Sequence, residues 1–245
     1  MLIEVPIHRI PNMHELPGAM VMALHGHDRH HATLLYRDKS TEHPQNRYTR
    51  PLMAAPPHRR RFENRNHARY ITCSCFRRRP FLGRDRSRQW LIEAIERARQ
   101  LHQFDLWAWV IMPEHIHLLL FPKPGGPALG PILQSIKQPI AKRALKWVRT
   151  NSPRALGPFE DSRPDGSVVH RFWQRGGGYD RNLWSPIEIW EKIDYIHENP
   201  VRRGLCDRPK EWLWSSARYF LDRHAGPLTI DRARIPPRPP PRPGR

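Results

Sequence analysis

A hydrophobic run with histidines at alternate positions constrains the fold of this chain more than any other stretch. It reads Met-Pro-Glu-His-Ile-His-Leu-Leu-Leu-Phe at residues 112–121. Because side chains alternate along a strand, His115 and His117 would point to one face and Ile116 and Leu118 to the other. The run therefore predicts a strand that presents two imidazoles in the same direction.

Two imidazoles on a rigid strand suit a divalent metal, because neutral imidazole is the commonest protein metal ligand. Two ligands are too few, so a third must come from elsewhere in the chain. A bare His-x-His pair is more often a pair of structural histidines satisfied by hydrogen bonds. From this stretch alone both readings stay open.

The charge of the chain favours a polyanionic partner. Forty-two Lys and Arg against 23 Asp and Glu give a formal net charge of +19, which attracts nucleic acid through steering and counterion release. A membrane is the alternative, but no run approaches the roughly 20 apolar residues that span a bilayer. Three cysteines form no disulfide framework. We therefore expect a cytosolic protein that binds nucleic acid and no membrane.

Only part of the chain reads as folded core, since 38% of it is hydrophobic and it contains 27 prolines. Residues 1–66 show no sustained period and are predicted to be a mostly disordered, basic, His-rich extension. Residues 67–222 are predicted to form the folded domain. Residues 223–245 read as a basic proline-rich tail that could lie along phosphate.

Strands and helices alternate in the predicted domain. Strands are expected at 70–76, 107–111, 115–121 and 170–174, and helices at 87–102 and 129–149. The first helix should bury Trp90, Leu91, Ile95, Ala98 and Leu101, and Pro139 should kink or break the second. This βαββαβ order predicts an α+β, ferredoxin-like antiparallel sheet with both helices on one face and the other face open.

A third helix carries polar chemistry on one side. Ser185, Pro186 and Glu188 form a start signal, and Pro200 should stop the helix at Asn199. Glu188, Lys192, Tyr195 and Asn199 fall on one face, and Ile189, Ile193 and Ile196 on another.

If the polar face looks at His115 and His117, the imidazoles and the Asn199 amide could hold a cation that polarises a phosphodiester, and Tyr195 could attack phosphorus. The alternative is that Tyr195 is a half-buried tyrosine whose hydroxyl finds a backbone partner.

Several stretches, in unbroken order between about Tyr70 and Tyr219, resemble the REP-associated tyrosine transposases, which are single-tyrosine HUH transposases (His, hydrophobic residue, His). They are Met-Pro-Glu-His-Ile-His-Leu-Leu at 112–119, Phe-Trp-Gln at 172–174, Ile-Asp-Tyr-Ile-His-Glu-Asn-Pro-Val-Arg-Arg-Gly-Leu at 193–205 and Trp-Ser-Ser at 214–216.

The resemblance implies a ferredoxin-like domain with the HUH motif on a central strand, in an enzyme that cuts and rejoins single-stranded or hairpin DNA. It implies a 5′-phosphotyrosine link, a free 3′-OH, and Mg or Mn as the metal. By position, Tyr195 would be the nucleophile, and His115, His117 and Asn199 the metal ligands. We expect a bacterial, cytoplasmic, nucleoid-associated protein, and the sequence leaves open whether it is a monomer or a homodimer.

Seven basic residues are predicted to contact phosphates, because guanidinium forks match phosphate oxygens. They are Arg77, Arg78, Arg79, Lys137, Arg175, Arg202 and Arg203. Two other function classes are alternatives: a nucleic-acid-binding protein that keeps the sheet without catalysis, and a His-rich metal-binding protein. The presence of both histidines, the tyrosine and the amide favours the enzyme.

Overall fold

The computed structural model describes residues 67–221 and 226–240, together with two short strands near the N-terminus. Strand β1 (Glu4–Val5) pairs antiparallel with β2 (Ala32–Thr33), inside a compact unit that spans Met1–Arg59. The second unit spans Arg60–Arg245 and contains the elements that follow. Apart from those short strands, the disorder predicted for residues 1–66 falls outside the described part of the chain.

Four antiparallel strands form the central sheet. They are β3 (Ala68–Ser74), β4 (Phe104–Ile111), β5 (His115–Pro122) and β8 (Tyr179–Leu183), in the spatial order β4-β5-β3-β8. The predicted α+β class and antiparallel sheet are confirmed. Strands β4 and β5 form a hairpin, and β5, which carries both histidines, is an interior strand.

Two long helices cover one face of the sheet. Helix α1 (Asp85–His102) and helix α2 (Leu129–Asn151) share a core with Ile71, Ile116 and Leu118. Leu91, Ile95 and Ala98 are buried as predicted, but Leu101 is 68% exposed. At about 100° per residue, Leu101 lies roughly 80° round the helix from Leu91, which turns it away from the sheet.

Helix α2 runs unbroken through Pro139, so of the kink or break predicted there, the break does not occur. Proline removes one intrahelical hydrogen bond and costs about 3 kcal/mol relative to alanine. Ile132, Ile136 and Ile140 are fully buried around it. Burial of such side chains is worth about 1.5–3 kcal/mol each, enough to keep the helix continuous.

The fourth strand lies later in the chain than predicted. Residues 170–174 were expected to form it as a short strand or extended segment. Trp173 does make one antiparallel bridge with Cys75, just after β3, but β8 takes the place beside β3 itself. Val168–His170 (β7) pairs instead with Glu160–Ser162 (β6), in a hairpin outside the central sheet. A polar edge strand such as Tyr-Asp-Arg-Asn-Leu shows no hydrophobic run, which is why the pattern missed it.

Helix α3 (Pro186–Arg202) covers much of the face that was predicted to be open. Its Ile189, Ile193 and Ile196 pack in a second core with Tyr70 and Leu119. The Ser185 hydroxyl accepts from the Glu188 N–H, as a helix N-cap should.

The predicted stop of α3 at Asn199 is wrong, because the helix continues past Pro200. It ends where Gly204 adopts φ +63°. The Gly204 N–H donates to the Val201 carbonyl and the Leu205 N–H to the Pro200 carbonyl. This is a glycine-capped helix end, and Gly204 was the stronger stop signal.

The C-terminal part of the chain packs back onto the domain. Trp214 is buried beside the short helix α4 (Ala217–Leu221). In the described part of the predicted tail, Leu228 and Ile230 are buried in the main core. Among the helices that the structure describes, none is long and apolar enough to cross a membrane.

Candidate active site

His115 and His117 point to the same face of β5, as the alternation predicted. Both are buried, and their Nε2 atoms lie 3.1 Å apart with the rings at 77°. Two imidazole nitrogens that bind one ion at about 2.0–2.1 Å stand roughly 3 Å from each other. The pair therefore has the spacing that a shared cation requires.

Polar neighbours hold each ring by its other nitrogen. Glu114 Oε1 lies 3.0 Å from His115 Nδ1. The Tyr70 and Thr72 hydroxyls of β3 each lie 2.8 Å from His117 Nδ1. Oxygen acceptors at Nδ1 favour the tautomer that carries its proton on Nδ1. The Nε2 lone pair of each ring then faces the point that the two rings share.

Burial keeps both imidazoles neutral. It lowers the pKa of His115, and it lowers the pKa of His117 to about 3, with the nearby His115 adding to the effect. Metal ligation needs the neutral ring, so protons do not compete for this site near pH 7. Burial also raises the pKa of the Tyr70 phenol, which keeps the hydroxyl beside His117 protonated.

Asn199 brings an amide from α3 to the same point. Its side-chain nitrogen lies 3.2 Å from His117 Nε2, and a half-turn of the amide would put its oxygen in that place. Within the described ranges no three His, Cys, Asp or Glu side chains cluster as a metal site. Two imidazoles and an amide oxygen are therefore the candidate donors at this point, and their chemistry fits a divalent cation.

Tyr195 lies one helical turn before Asn199 and faces the histidines. Its ring centroid is 5.5 Å from that of His117. The Lys192 ammonium and the Arg202 guanidinium lie 5.3 and 5.1 Å from the tyrosine ring centroid. Both cations are therefore close enough for cation–π contact with the tyrosine ring.

These groups open into one cavity of about 600 Å³. Its walls come from β3, β5, β8, α3 and the turn after β3. The lining residues are Tyr70, Thr72, Arg78, His115, His117, Tyr179, Lys192, Tyr195, Asn199, Arg202 and Arg203. Four cations and no carboxylate line this cavity, so it suits an anion.

No protein-family model matches this chain. A Haemophilus influenzae protein named "Putative REP-associated tyrosine transposase" is 25% identical over 139 residues, which cover 54% of this chain and 73% of that protein. A solved structure of a REP-associated tyrosine transposase bound to a REP hairpin matches with a TM-score of 0.52 and 21% identity, over 74% of this chain and 96% of that one. This chain resembles the REP-associated tyrosine transposases.

The solved REP-associated transposase confirms the fold of this chain. A structure of "a putative transposase" from Deinococcus radiodurans covers 54% of this chain and 88% of its own, at 17% identity and a TM-score of 0.35.

The structure places some of the seven predicted basic residues at the cavity and others away from it. Arg78, Arg202 and Arg203 line the cavity, and Arg77 and Arg79 are exposed on the same turn as Arg78. Lys137 and Arg175 do not line it. Lys137 donates to the Gly176 carbonyl over 2.7 Å, and Arg175 pairs with Asp161 at 2.9 Å.

The sequence reasoning missed the residues that hold the histidines. Tyr70 and Thr72 reach His117 only because β3 lies beside β5 in one register, and local patterns do not reveal strand pairing. Glu114 did carry a signal, since an acidic residue directly before a metal-binding histidine can support it. Glu114 also lies 3.2 Å from Arg203 and 3.7 Å from Arg78.

Proposed function

We propose that this protein is a metal-dependent transposase that nicks and rejoins single-stranded DNA at hairpin-containing repeats through a 5′-phosphotyrosine intermediate. One observation carries the proposal: Tyr195 faces two imidazoles whose Nε2 atoms are 3.1 Å apart, in a single cationic cavity. The names of the related proteins point to the same class of enzyme.

His115, His117 and Asn199 would hold the metal, which we propose to be Mg or Mn. When bound, the ion supplies Lewis-acid polarisation of a phosphoryl oxygen. Glu114, Tyr70 and Thr72 keep both rings oriented toward that position. Each ligand is neutral, so a site built on them retains the positive charge that attracts phosphate.

Tyr195 is the proposed nucleophile. Its phenolic oxygen forms a bond to phosphorus while the bond from phosphorus to the 3′ oxygen breaks. The proton lost by the phenol balances the one gained by the leaving 3′-OH. A free 3′-OH can attack the phosphotyrosine in the reverse sense, which rejoins the strand. The Lys192 and Arg202 cations lie 5.3 and 5.1 Å from the tyrosine ring centroid and would stabilise negative charge on the reacting phosphate.

The basic residues at the cavity would position the DNA backbone. Arg78, Arg202 and Arg203 are placed for phosphates next to the reacting one. We propose that Arg77, Arg79, Lys137 and Arg175 contact phosphates further along the strand. Such contacts orient a nucleic acid without specifying its sequence.

The test is covalent trapping. The protein is incubated with labelled single-stranded hairpin DNA and Mg or Mn, and the expected product is a DNA adduct that mass spectrometry maps to Tyr195. The Tyr195→Phe variant should form no adduct. Tyr219→Phe is the matched control, because Tyr219 packs against the core away from the cavity. An adduct on another tyrosine would overturn the assignment, and binding without any adduct would favour the non-catalytic nucleic-acid-binding alternative.

A further inference from the structure

A second cavity, of about 670 Å³, lies between the first turn of α1, the end of α2 and the residues that follow α2. Protein sites for small organic groups have volumes of this order. Its walls are largely aromatic, and the rings belong to Phe81, Trp90, Trp147, Phe159 and Phe172. None of these residues lines the candidate active site.

The rings in this aromatic cavity stack on one another and on guanidinium groups. Phe81 lies on Phe159 with centroids 3.9 Å apart and planes at 12°. The half-buried Trp147 carries the Arg86 guanidinium 4.2 Å above its ring. Aromatic rings and guanidinium planes are the surfaces on which proteins stack unpaired bases.

The rim of the aromatic cavity is positively charged. Arg84 and Arg86 are exposed at its edge, and neither forms an ion pair with a described carboxylate. Asp85 also lies at this edge, but its carboxylate is engaged by Arg88 at 2.9 Å. An apolar peptide would gain nothing from such a rim, whereas a nucleotide brings a flat ring and a phosphate together.

One short segment connects the aromatic cavity to the candidate active site. Arg78 lines the active site, and Arg84, six residues later, lines the aromatic cavity. Six residues span at most about 20 Å between Cα atoms. The Leu82 N–H donates to the Pro113 carbonyl, which ties this segment to the turn before His115. Exposed Arg77 and Arg79 lie on the same segment.

We propose that the aromatic cavity binds an unpaired base of the same DNA strand that the active site holds, with Arg84 and Arg86 on the adjoining phosphates. This inference rests on the proposed function, because it needs single-stranded DNA as the ligand. Stacking tolerates any base, so the site fixes the path of the strand and not its sequence.

The test compares two fluorescein-labelled strands by anisotropy: a 12-nucleotide oligo-dT and a 12-unit abasic strand with the same phosphates. Trp147→Ala should weaken oligo-dT binding by roughly 5- to 150-fold, the factor that stacking one base is worth. Its affinity for the abasic strand should stay within about twofold, because phosphate contacts supply that binding.

Arg84→Ala/Arg86→Ala should weaken binding of both strands and lower the slope of log K against log salt by about 1.4, or 0.7 per phosphate. The matched controls are Trp184→Ala, whose side chain is 67% exposed outside the cavity, and Arg97→Ala, an exposed arginine further along α1. Both controls should bind like the wild type. Equal losses for Trp147→Ala on the two strands would overturn the proposal.

A second measurement uses the unmodified protein, so a folding defect in a variant cannot decide the result. Oligo-dT carrying 5-iodouracil should crosslink to Phe81, Trp90 or Trp147. Crosslinks confined to other residues would overturn the aromatic site. If the Tyr195 adduct forms while the crosslinks map elsewhere, only this inference fails; if neither adduct nor DNA binding is seen, the proposed function fails with it.

Discussion

His117 is the residue on which the candidate site depends most, because it contacts both the other proposed metal ligands and the hydroxyls that hold its ring. Its Nε2 faces His115 and Asn199, and its Nδ1 contacts Tyr70 and Thr72. A ring held at both nitrogens keeps one orientation without help from the metal. This preorganisation is what a catalytic metal site needs from its protein.

The His117→Ala variant should lose covalent DNA adduct formation while it keeps DNA binding within about twofold. Adduct formation should fall by more than the roughly 10- to 100-fold that is lost when a residue supporting a metal ligand is removed. Anisotropy with labelled hairpin DNA measures the binding, and gel analysis measures the adduct. Chelator should abolish the adduct of the wild type, and added Mn should restore it. Full activity in chelator would rule out the metal.

Glu114 joins the histidines to the arginines of the cavity. Its carboxylate contacts His115, Arg203 and Arg78. Glu114→Gln keeps the shape but removes the charge, so the metal concentration needed for half-maximal adduct formation should rise about 10- to 100-fold. Glu93→Gln removes an exposed carboxylate on α1 and should leave that concentration unchanged. An unaltered Mn titration for Glu114→Gln would contradict this role.

At the scale of elements, the connection into β8 decides how closely the edge strand approaches β3. Gly178 has φ +81°, and a Cβ at this position would overlap the Thr72 carbonyl oxygen. Thr72 also contacts His117. The close approach of Gly178 to Thr72 therefore affects both the sheet and the candidate site.

Gly178→Ala should destabilise the protein by several kcal/mol, more than the roughly 1–2 kcal/mol that a left-handed conformation costs alanine. Gly176→Ala is the matched control, because Gly176 has φ +85° with no atom within 4 Å of an added Cβ. Urea unfolding compares the two variants. Equal losses of stability would show that the close approach to Thr72 does not matter.

At the scale of the whole molecule, the C-terminal segment completes the domain. The Asp231 backbone N–H donates to the Leu106 carbonyl, and its carboxylate accepts from the Leu106 N–H and pairs with Arg99. The Ser216 N–H likewise donates to the Trp109 carbonyl. These residues cover the outer edge of β4, which would otherwise present unpaired backbone groups.

Ile230→Ala should lower the free energy of unfolding by about 2–5 kcal/mol, because Ile230 is a buried core residue. Leu221→Ala, at a side chain that is 59% exposed, should change it by less than about 0.5 kcal/mol. Urea denaturation followed by tryptophan fluorescence gives both values. An unchanged free energy of unfolding in Ile230→Ala would mean that the C-terminal segment contributes nothing to the core.

Local patterns in the sequence were enough for much of this protein. The alternation along 112–121 placed both histidines on one face, and the helical period put Tyr195 and Asn199 on a shared polar face. Strand and helix periods predicted the βαββαβ order, apart from the true position of the fourth strand. These features depend on neighbours a few residues away, so the chain specifies them before it folds.

Only the tertiary structure decided which residues meet across the chain. Tyr70 and Thr72 support His117 because of the β3–β5 register, and α3 covers the sheet face that was expected to be open. The polar β8 became a strand because the edge of β3 was available for pairing. Leu228 and Ile230 entered the core from a segment that reads as a tail. Such contacts depend on how distant segments pack, and no local period in the sequence records that.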